Sequence, residues 1–398
     1  MKSTKKSSRK VAVGLEVLAS EYQKRLKGAR LGVLFNQASV DKELRSARDV
    51  ISSVFPRQVK ALFGPQHGAG GEDQDNMVET SHEMDPELQV PIFSLYSETR
   101  EPTAQMLEQI DVLIIDLQDV GTRVYTFAST MLQCLRAASK QGNKVVILDR
   151  PNPLGGEAVE GNLLEEELFS FVGPWRLPMR HGLTMAEMAL LFKDVFQLDC
   201  DLEVVPMRGW SRDMLWPDTG LRWVLPSPNM PFFDTAIVYP GQVMWEGTNV
   251  SEGRGTCRPF ELFGAPFLRP KEIRASLNPS LLMGCILQEF RFRPTFHKWE
   301  ARLCKGFHIH VLDPRGFKPY RTSLALLQQV LLKYGEYFEW RPAPYEYEYK
   351  KLPIDLILGS KKVKSLLEKR ISVLELEAGW EADLKEFSFL RDQYLIYR

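Results

Sequence analysis

Residues 112–123 read VLIIDLQDVGTR and join an apolar run directly to a compact polar motif. A short apolar run bounded by turn-forming residues is typical of a strand that is buried in a parallel sheet. A helical pattern follows at 125–139, and the next apolar run lies at 145–148. Strand, helix and strand in this order predict an α/β fold built on a parallel sheet.

The same alternation extends over the first 150 residues. Strands are predicted at 31–35, 59–63, 92–95, 112–117 and 145–148, and helices at 44–55, 104–109 and 125–139. A further helix should follow Thr184, because Thr184 and Glu187 have the spacing of a capping box.

The later part of the chain has a different texture. Residues 206–270 are rich in Pro, Gly and Trp, and a strand-like segment at 306–311 and a helical one at 323–334 follow. A chain of 398 residues also exceeds the roughly 250–300 residues at which single cores stop growing. We predict a parallel-sheet domain at 1–230 and a smaller α+β domain at 231–398.

Charge and targeting signals exclude some classes of protein. Lys+Arg and Asp+Glu both number 51, so no overall field attracts nucleic acid or anionic lipid. The basic run at 2–10 is followed by only five residues before Glu16, too few for the apolar part of a secretory leader. No segment is apolar enough for a membrane span. We expect a cytoplasmic protein, or an exported one if a leader has been removed.

No metal or nucleotide cofactor is predicted. The five cysteines are scattered without C-x-x-C spacing, which indicates reduced thiols. His308 and His310 alternate on a predicted strand but have no acidic partner at metal-ligand spacing. Neither G-x-G-x-x-G nor a phosphate-binding G-x-x-x-x-G-K-[ST] occurs.

Polar motifs follow all five predicted strands. They are NQ at 36–37, GPQHG at 64–68, YSETR at 96–100, QDVGTR at 118–123 and DRPNP at 149–153. Ligands of open α/β sheets bind outside the carboxyl ends of the strands, so these motifs predict one ligand site. Turns alone do not require Gln66, His67, Arg123 or Arg150.

Carboxylates, arginines and aromatic rings fit glycoside hydrolysis, which needs a proton donor and a second group at the anomeric carbon. Glu72 is a candidate acid beside the 64–68 loop. Tryptophans that could stack on sugar faces are Trp175, Trp210, Trp216, Trp223 and Trp245. A short alternation of Tyr and Glu at 345–349 has no evident role.

Several long motifs, in register, resemble the bacterial exo-β-N-acetylmuramidase family of peptidoglycan hydrolases. They are FGPQHG at 63–68, LQDVGTR at 117–123, DRPNP at 149–153, MRHG at 179–182, PSPNMP at 226–231 and EGTNVSEGRG at 246–255. The resemblance implies a Rossmann-like domain, a smaller C-terminal domain and an active site in the cleft between them. It also implies release of terminal N-acetylmuramic acid, with a muramic-acid-containing saccharide as the partner.

The resemblance suggests roles for particular residues. The proton would come from Glu72, Asp119 or Glu246, and the sugar hydroxyl or acetamido groups would be held by Gln66, His67 and Asn249. Arg123, Arg180 or Arg254 would bind the lactyl carboxylate with a bidentate fork. Arg150, His181 and Asn229 lie in the same motifs and complete the predicted site.

Plainer interpretations stay open for some of these residues. Arg123 and Arg150 could brace their loops by pairing with Asp119 and Asp149, and His181 could stabilise a turn. Many family members carry glutamate where this chain has Gln66, and an amide cannot be a general acid. The alternative function is therefore a muramyl-saccharide-binding protein that has lost its acid.

Overall fold

The computed structural model describes residues 11–74 and 77–398; the basic run at 2–10 lies outside the described residues. In this part of the chain the strands are β1 (Leu31–Leu34), β2 (Val59–Gly64), β3 (Glu83–Met84), β4 (Pro91–Ser94), β5 (Val112–Ile115), β6 (Lys144–Leu148), β7 (Glu160–Leu163), β8 (Pro178–Arg180), β9 (Leu202–Val205), β10 (Leu262–Ala265), β11 (Cys285–Phe292) and β12 (Cys304–Val311). The α-helices are α1 (Gly14–Val17), α2 (Ala47–Val54), α3 (Ala104–Leu107), α4 (Phe127–Gln141), α5 (Met185–Val195), α6 (Trp216–Thr219), α7 (Phe233–Gln242), α8 (Pro270–Ser276), α9 (Pro319–Tyr334), α10 (Pro353–Leu358), α11 (Lys361–Glu368) and α12 (Val373–Arg391).

The first domain is built on a seven-stranded sheet in the order β3-β4-β2-β1-β5-β6-β9. All neighbours are parallel except the edge strand β3, which is antiparallel to β4. The five strands predicted from the apolar runs are adjacent, so their carboxyl ends do share one edge. The strand order reverses between β1 and β5.

The sheet is covered by helices on both faces, which explains why its strands read as continuous apolar runs. All four residues of β1 and of β5 are buried. Val33 and Ile51 of α2 belong to the buried cluster on one face, and Leu113 and Leu135 of α4 belong to the cluster on the other. Each such buried aliphatic side chain contributes roughly 1.5–3 kcal/mol.

Helix α5 begins with the predicted capping box. The Glu187 amide donates to Thr184 Oγ1 at 3.3 Å, and the Thr184 amide donates to Glu187 Oε2 at 3.0 Å. The other oxygen of Glu187 accepts a hydrogen bond from Arg212 at 2.7 Å. This carboxylate therefore stabilises the start of α5 and connects it to the loop that contains Arg212.

A smaller antiparallel sheet, in the order β10-β12-β11, forms the centre of the second domain. Helix α7 packs along α9 and also contacts β12. The predicted α/β fold with a smaller second domain is confirmed. We propose the boundary near residue 230.

Among the described helices, none is long and apolar enough to cross a membrane.

Asp149, at the end of β6, gives a testable pH dependence. Its carboxyl group is fully buried, accepts hydrogen bonds from the Ala186 amide at 3.0 Å and the Tyr397 hydroxyl at 2.7 Å, and burial raises its pKa to about 7. Unfolding returns the pKa to about 3.9, so the neutral form stabilises the fold at low pH, and this stability is lost as the pH rises through about 7.

The variant Asp149→Asn should remove this dependence. Between pH 5 and pH 8 the free energy of unfolding of the wild type should fall by roughly 2.5 kcal/mol more than that of the variant. Urea unfolding of both proteins at several pH values measures the difference. Parallel pH profiles would contradict the assignment of a neutral Asp149.

Candidate active site

A narrow cavity lies where the loops after β2 and β5 meet segments of the second domain. Of the described residues, those that line it are Gln66, His67, Val124, Tyr125, Thr126, Phe127, Val172, Ser227, Asn229, Met230, Tyr239, Glu246, Arg254, Phe260, Tyr345 and Glu346. Polar and charged groups from both domains therefore converge in one place, as in many sites at domain interfaces.

Gln66 lies in the turn that follows β2 and is only 4% exposed. Its Oε1 accepts a hydrogen bond from Thr126 Oγ1 at 2.6 Å, while its Nε2 donates to the Tyr96 hydroxyl and to Glu346 Oε1, each at 3.1 Å. These three contacts fix the orientation of the amide. Gln66 consequently holds a carboxyl group of the second domain in the cavity.

Glu346 is the central residue that sequence reasoning missed. Its carboxyl group is buried, and Oε2 accepts a hydrogen bond from the Tyr96 hydroxyl at 2.5 Å. Burial raises the pKa of Glu346 to about 7, and the negative charge of Glu246 acts in the same direction, whereas the hydrogen bonds from Tyr96 and Gln66 act against it. A carboxyl group with such a pKa can hold a proton near neutral pH.

Glu246 is the second buried carboxylate of the cavity. Arg254 Nη2 donates to Oε1 at 2.6 Å, and the Tyr345 hydroxyl donates to Oε2 at 2.6 Å. Burial alone would lower the pKa of Arg254, but Glu246 and Glu252 raise it above its ordinary value. The ion pair keeps a negative and a positive charge side by side at the cavity wall.

Left-handed backbone conformations cluster around this cavity. His67 has φ 73°, Phe260 has φ 62°, Glu346 has φ 45° and Tyr347 has φ 66°. Each costs of order 1–3 kcal/mol for a residue other than glycine, and such residues concentrate at functional sites. The strain supports a functional role for the cavity.

Five of the predicted site residues line the cavity together: Gln66, His67, Asn229, Glu246 and Arg254. His67 Nδ1 lies 2.6 Å from the Asp73 carbonyl oxygen, and Asn229 Nδ2 donates to the Gln74 carbonyl at 2.9 Å. Residues 73 and 74 are thus tied to two residues of the cavity lining.

Three predicted arginines lie elsewhere and bind the scaffold. Arg123 is fully buried and donates to the carbonyl oxygens of Asn162, Leu177 and Ile357. Arg180 donates to the Leu154 carbonyl, and Arg150 pairs with Asp116 through Nε at 2.5 Å and Nη2 at 2.8 Å. The suggested pairings of Arg123 with Asp119 and of Arg150 with Asp149 are therefore wrong, because backbone carbonyls and Asp116 occupy these guanidinium groups.

Asp119 and His181 form a brace between two loops. Asp119 Oδ2 accepts a hydrogen bond from the Gly121 amide at 2.6 Å and lies 3.5 Å from His181 Nε2, while His181 Nδ1 accepts from the Leu183 amide at 3.1 Å. This agrees with the plainer interpretation of His181. Neither residue is among the described residues that line the cavity.

Asn249 and Glu72 also lie outside the described lining. Asn249 Nδ2 donates to the Tyr337 carbonyl at 2.8 Å on another face. Glu72 is exposed, and its carboxylate folds back over Gly68 and Gly70.

The five tryptophans proposed for sugar stacking are not among the described lining residues. Trp245 instead stacks on Phe263 with ring centroids 4.9 Å apart, and Trp216 packs against Trp223 at 5.2 Å. The aromatic rings that do line the cavity are Tyr125, Phe127, Tyr239, Phe260 and Tyr345. Tyr345 and Glu346 belong to the Tyr/Glu alternation at 345–349, and this alternation is the sequence feature that could have indicated them as site residues.

Fold and site together define a two-domain α/β protein with a buried pair of glutamates and an arginine between its domains. The N-terminal model of exo-β-N-acetylmuramidase NamZ matches residues 31–234, and the C-terminal model matches residues 237–397. The chain belongs to the exo-β-N-acetylmuramidase NamZ family.

Individual relatives are similar over nearly the whole chain. Peptidoglycan β-N-acetylmuramidase NamZ of Bacillus subtilis (strain 168) is 40% identical over 388 residues, covering 98% of this chain and 92% of the relative. Two solved DUF1343 family proteins of Bacteroides fragilis each cover 98% of this chain and 99% of their own. One has 31% identity and a TM-score of 0.86, and the other has 26% identity and a TM-score of 0.75.

Proposed function

We propose that this chain is a glycosidase that releases terminal N-acetylmuramic acid from the non-reducing end of peptidoglycan fragments. The observation that carries the proposal is the convergence of Glu246, Arg254 and Glu346 in one cavity of a chain from this family. Glycoside hydrolysis needs a proton donor and a group that stabilises positive charge at the anomeric carbon. Two glutamates in different environments can provide both.

The cavity also offers groups that distinguish muramic acid from other sugars. Its lactyl ether carries a carboxylate, and Arg254 is the guanidinium group that lines the cavity among the described residues. A guanidinium fork binds a carboxylate through two parallel hydrogen bonds. His67, Ser227 and Asn229 also line the cavity and would contact hydroxyl and acetamido groups of the bound sugar.

A direct test compares two chromogenic substrates, the 4-nitrophenyl β-glycosides of N-acetylmuramic acid and of N-acetylglucosamine. We expect the first to release nitrophenol at least 10-fold faster, because only it presents a carboxylate to Arg254. Equal rates on both would contradict the proposed specificity. If the protein cleaves neither glycoside and also leaves a muramyl disaccharide intact, the proposal that it is a glycosidase is contradicted.

A role in wall turnover or recycling follows from such an activity. The cytoplasmic location, and the alternative of export after removal of a leader, stay predictions.

A further inference from the structure

We propose that Glu346 is the catalytic acid that protonates the leaving glycosidic oxygen, with Gln66 and Tyr96 as its positioning residues. This inference rests on the proposed glycosidase function. It assigns the acid to a residue of the second domain and separates it from Gln66, which cannot release a proton.

The hairpin at 345–348 places Glu346 in the cavity. Tyr345 and Glu348 exchange backbone hydrogen bonds, both at 2.9 Å, so that Glu346 and Tyr347 form a two-residue turn. Both turn residues have positive φ, which such a turn requires and which Asn and Gly adopt with less strain. A strained glutamate at this tip, buried against the opposite domain, is explained if its carboxyl group is needed there.

The hydrogen bonds around Glu346 suit a proton donor. Gln66 donates to Oε1 and Tyr96 donates to Oε2. Each oxygen thus accepts one hydrogen bond, and Glu346 itself lines the cavity. Because Thr126 holds the oxygen of the Gln66 amide, the amide presents its N–H side to Glu346.

The two glutamates of the cavity have distinct environments, as acid and anion require. Glu246 accepts hydrogen bonds from the Arg254 guanidinium and the Tyr345 hydroxyl. Glu346 accepts hydrogen bonds from Gln66 and Tyr96, and burial and the charge of Glu246 raise its pKa, although these two hydrogen bonds and the charge of Arg254 act against the rise. Glu246 is therefore available to stabilise positive charge at the anomeric carbon while Glu346 holds the proton.

The step balances without a cofactor. The bond between the anomeric carbon and the bridging oxygen breaks, its electron pair stays on that oxygen, and the Glu346 proton forms the new O–H bond. Glu346 is left as a carboxylate. Water then bonds through its oxygen to the anomeric carbon, and the proton that it loses neutralises the carboxylate.

A leaving-group test separates this role from a merely structural one. Nitrophenolate leaves without protonation, whereas a sugar alkoxide does not. We expect Glu346→Gln to lower kcat/KM for a muramyl disaccharide by about 10²–10⁴-fold, but to lower kcat/KM for the 4-nitrophenyl muramic acid glycoside by less than 10-fold. The matched control is Glu348→Gln on the same hairpin. The Glu348 carboxylate accepts a hydrogen bond from the Lys350 amide, and Glu348 is not among the described residues that line the cavity. This variant should have the same kcat/KM as the wild type on both substrates.

A second readout uses the wild type and does not depend on the variant folding. The kcat/KM for the disaccharide should fall on the alkaline side of neutrality as Glu346 loses its proton, and that for the nitrophenyl glycoside should not. Among the described residues, the titratable and charged groups around Glu346 are Tyr96, His67, Tyr239, Glu246, Arg254, Tyr345 and Tyr347. Since imidazoles titrate in the same range, the alkaline fall must persist in His67→Gln.

The outcomes are distinct. If the wild type is active and Glu346→Gln loses activity equally on both substrates, the assignment is overturned and the proposed function stays intact. The same holds if the wild type is active and Glu346→Gln loses no activity on the disaccharide. An alkaline fall that disappears in His67→Gln would also overturn it. A wild type that cleaves neither substrate would overturn the proposed function and the assignment with it.

Discussion

Replacement of Arg254 by methionine should reduce the preference for muramic acid over glucosamine glycosides by about 10- to 100-fold. A hydrogen bond to a charged group contributes about 1.5–3 kcal/mol, which corresponds to a change of this size in the ratio of rates. Arg254 lines the cavity from the second domain and is buried beside Glu246. With the guanidinium removed, the lactyl carboxylate would enter a cavity that already contains a glutamate anion. The kcat/KM for the muramic acid glycoside should therefore fall far more than that for its glucosamine analogue.

The ratio of the two kcat/KM values is the quantity to measure, because loss of folded protein lowers both equally and cancels. Arg258→Met is the matched control: Arg258 lies on the same loop but pairs with Glu261 and is not among the described lining residues. It should leave the ratio unchanged. An unchanged ratio in Arg254→Met would mean that another group binds the lactyl carboxylate.

Replacement of Lys298 by methionine should lower the free energy of unfolding by about 3–5 kcal/mol, since it breaks a buried ion pair from one side. Lys298 Nζ donates to Glu252 Oε2 at 2.8 Å and to the Trp245 carbonyl at 2.7 Å. Glu252 is fully buried, so its charge cannot be solvated when the lysine is lost, and Arg254 at 3.4 Å and His297 at 3.2 Å compensate it only in part. Urea unfolding measures the change.

Two further variants test the cause of this loss. Lys318→Met removes a lysine that is 48% exposed and pairs with Glu377, and it should cost less than about 1 kcal/mol. In the double variant Lys298→Met/Glu252→Gln the buried negative charge is also gone, so a large part of the stability should return. If the double variant is as unstable as Lys298→Met, packing of the lysine stem rather than charge explains the loss.

The parallel sheet could be predicted from the sequence because its strands are buried on both faces. Apolar runs such as 112–117 have no other simple interpretation when they alternate with helical patterns, and the Thr184–Glu187 capping box marks the start of α5 directly. The sequence pattern does not predict strands β7, β8 and β9, because Glu160, Arg180 and Glu203 interrupt what would otherwise be short apolar runs. The domain boundary near residue 230 stays a prediction.

The site could be predicted only in part, because a motif shows which residues are available and not where their side chains point. Arg123 and Arg150 follow strands at the correct edge, yet their side chains turn into the scaffold and bind carbonyl groups and Asp116. Glu346 is separated from Gln66 by 280 residues. A contact of that kind depends on how the two domains pack, which no local pattern contains.

Exo-acting muramidase activity can be tested by identifying the sugar that is released from defined peptidoglycan glycan chains. Two sets of chains of equal length are needed, one with N-acetylmuramic acid and the other with N-acetylglucosamine at the non-reducing end. We expect free N-acetylmuramic acid, and chains shortened by one residue, from the first set alone. Release from both sets, fragments from internal cleavage, or intact chains in the first set would contradict an exo-acting muramidase.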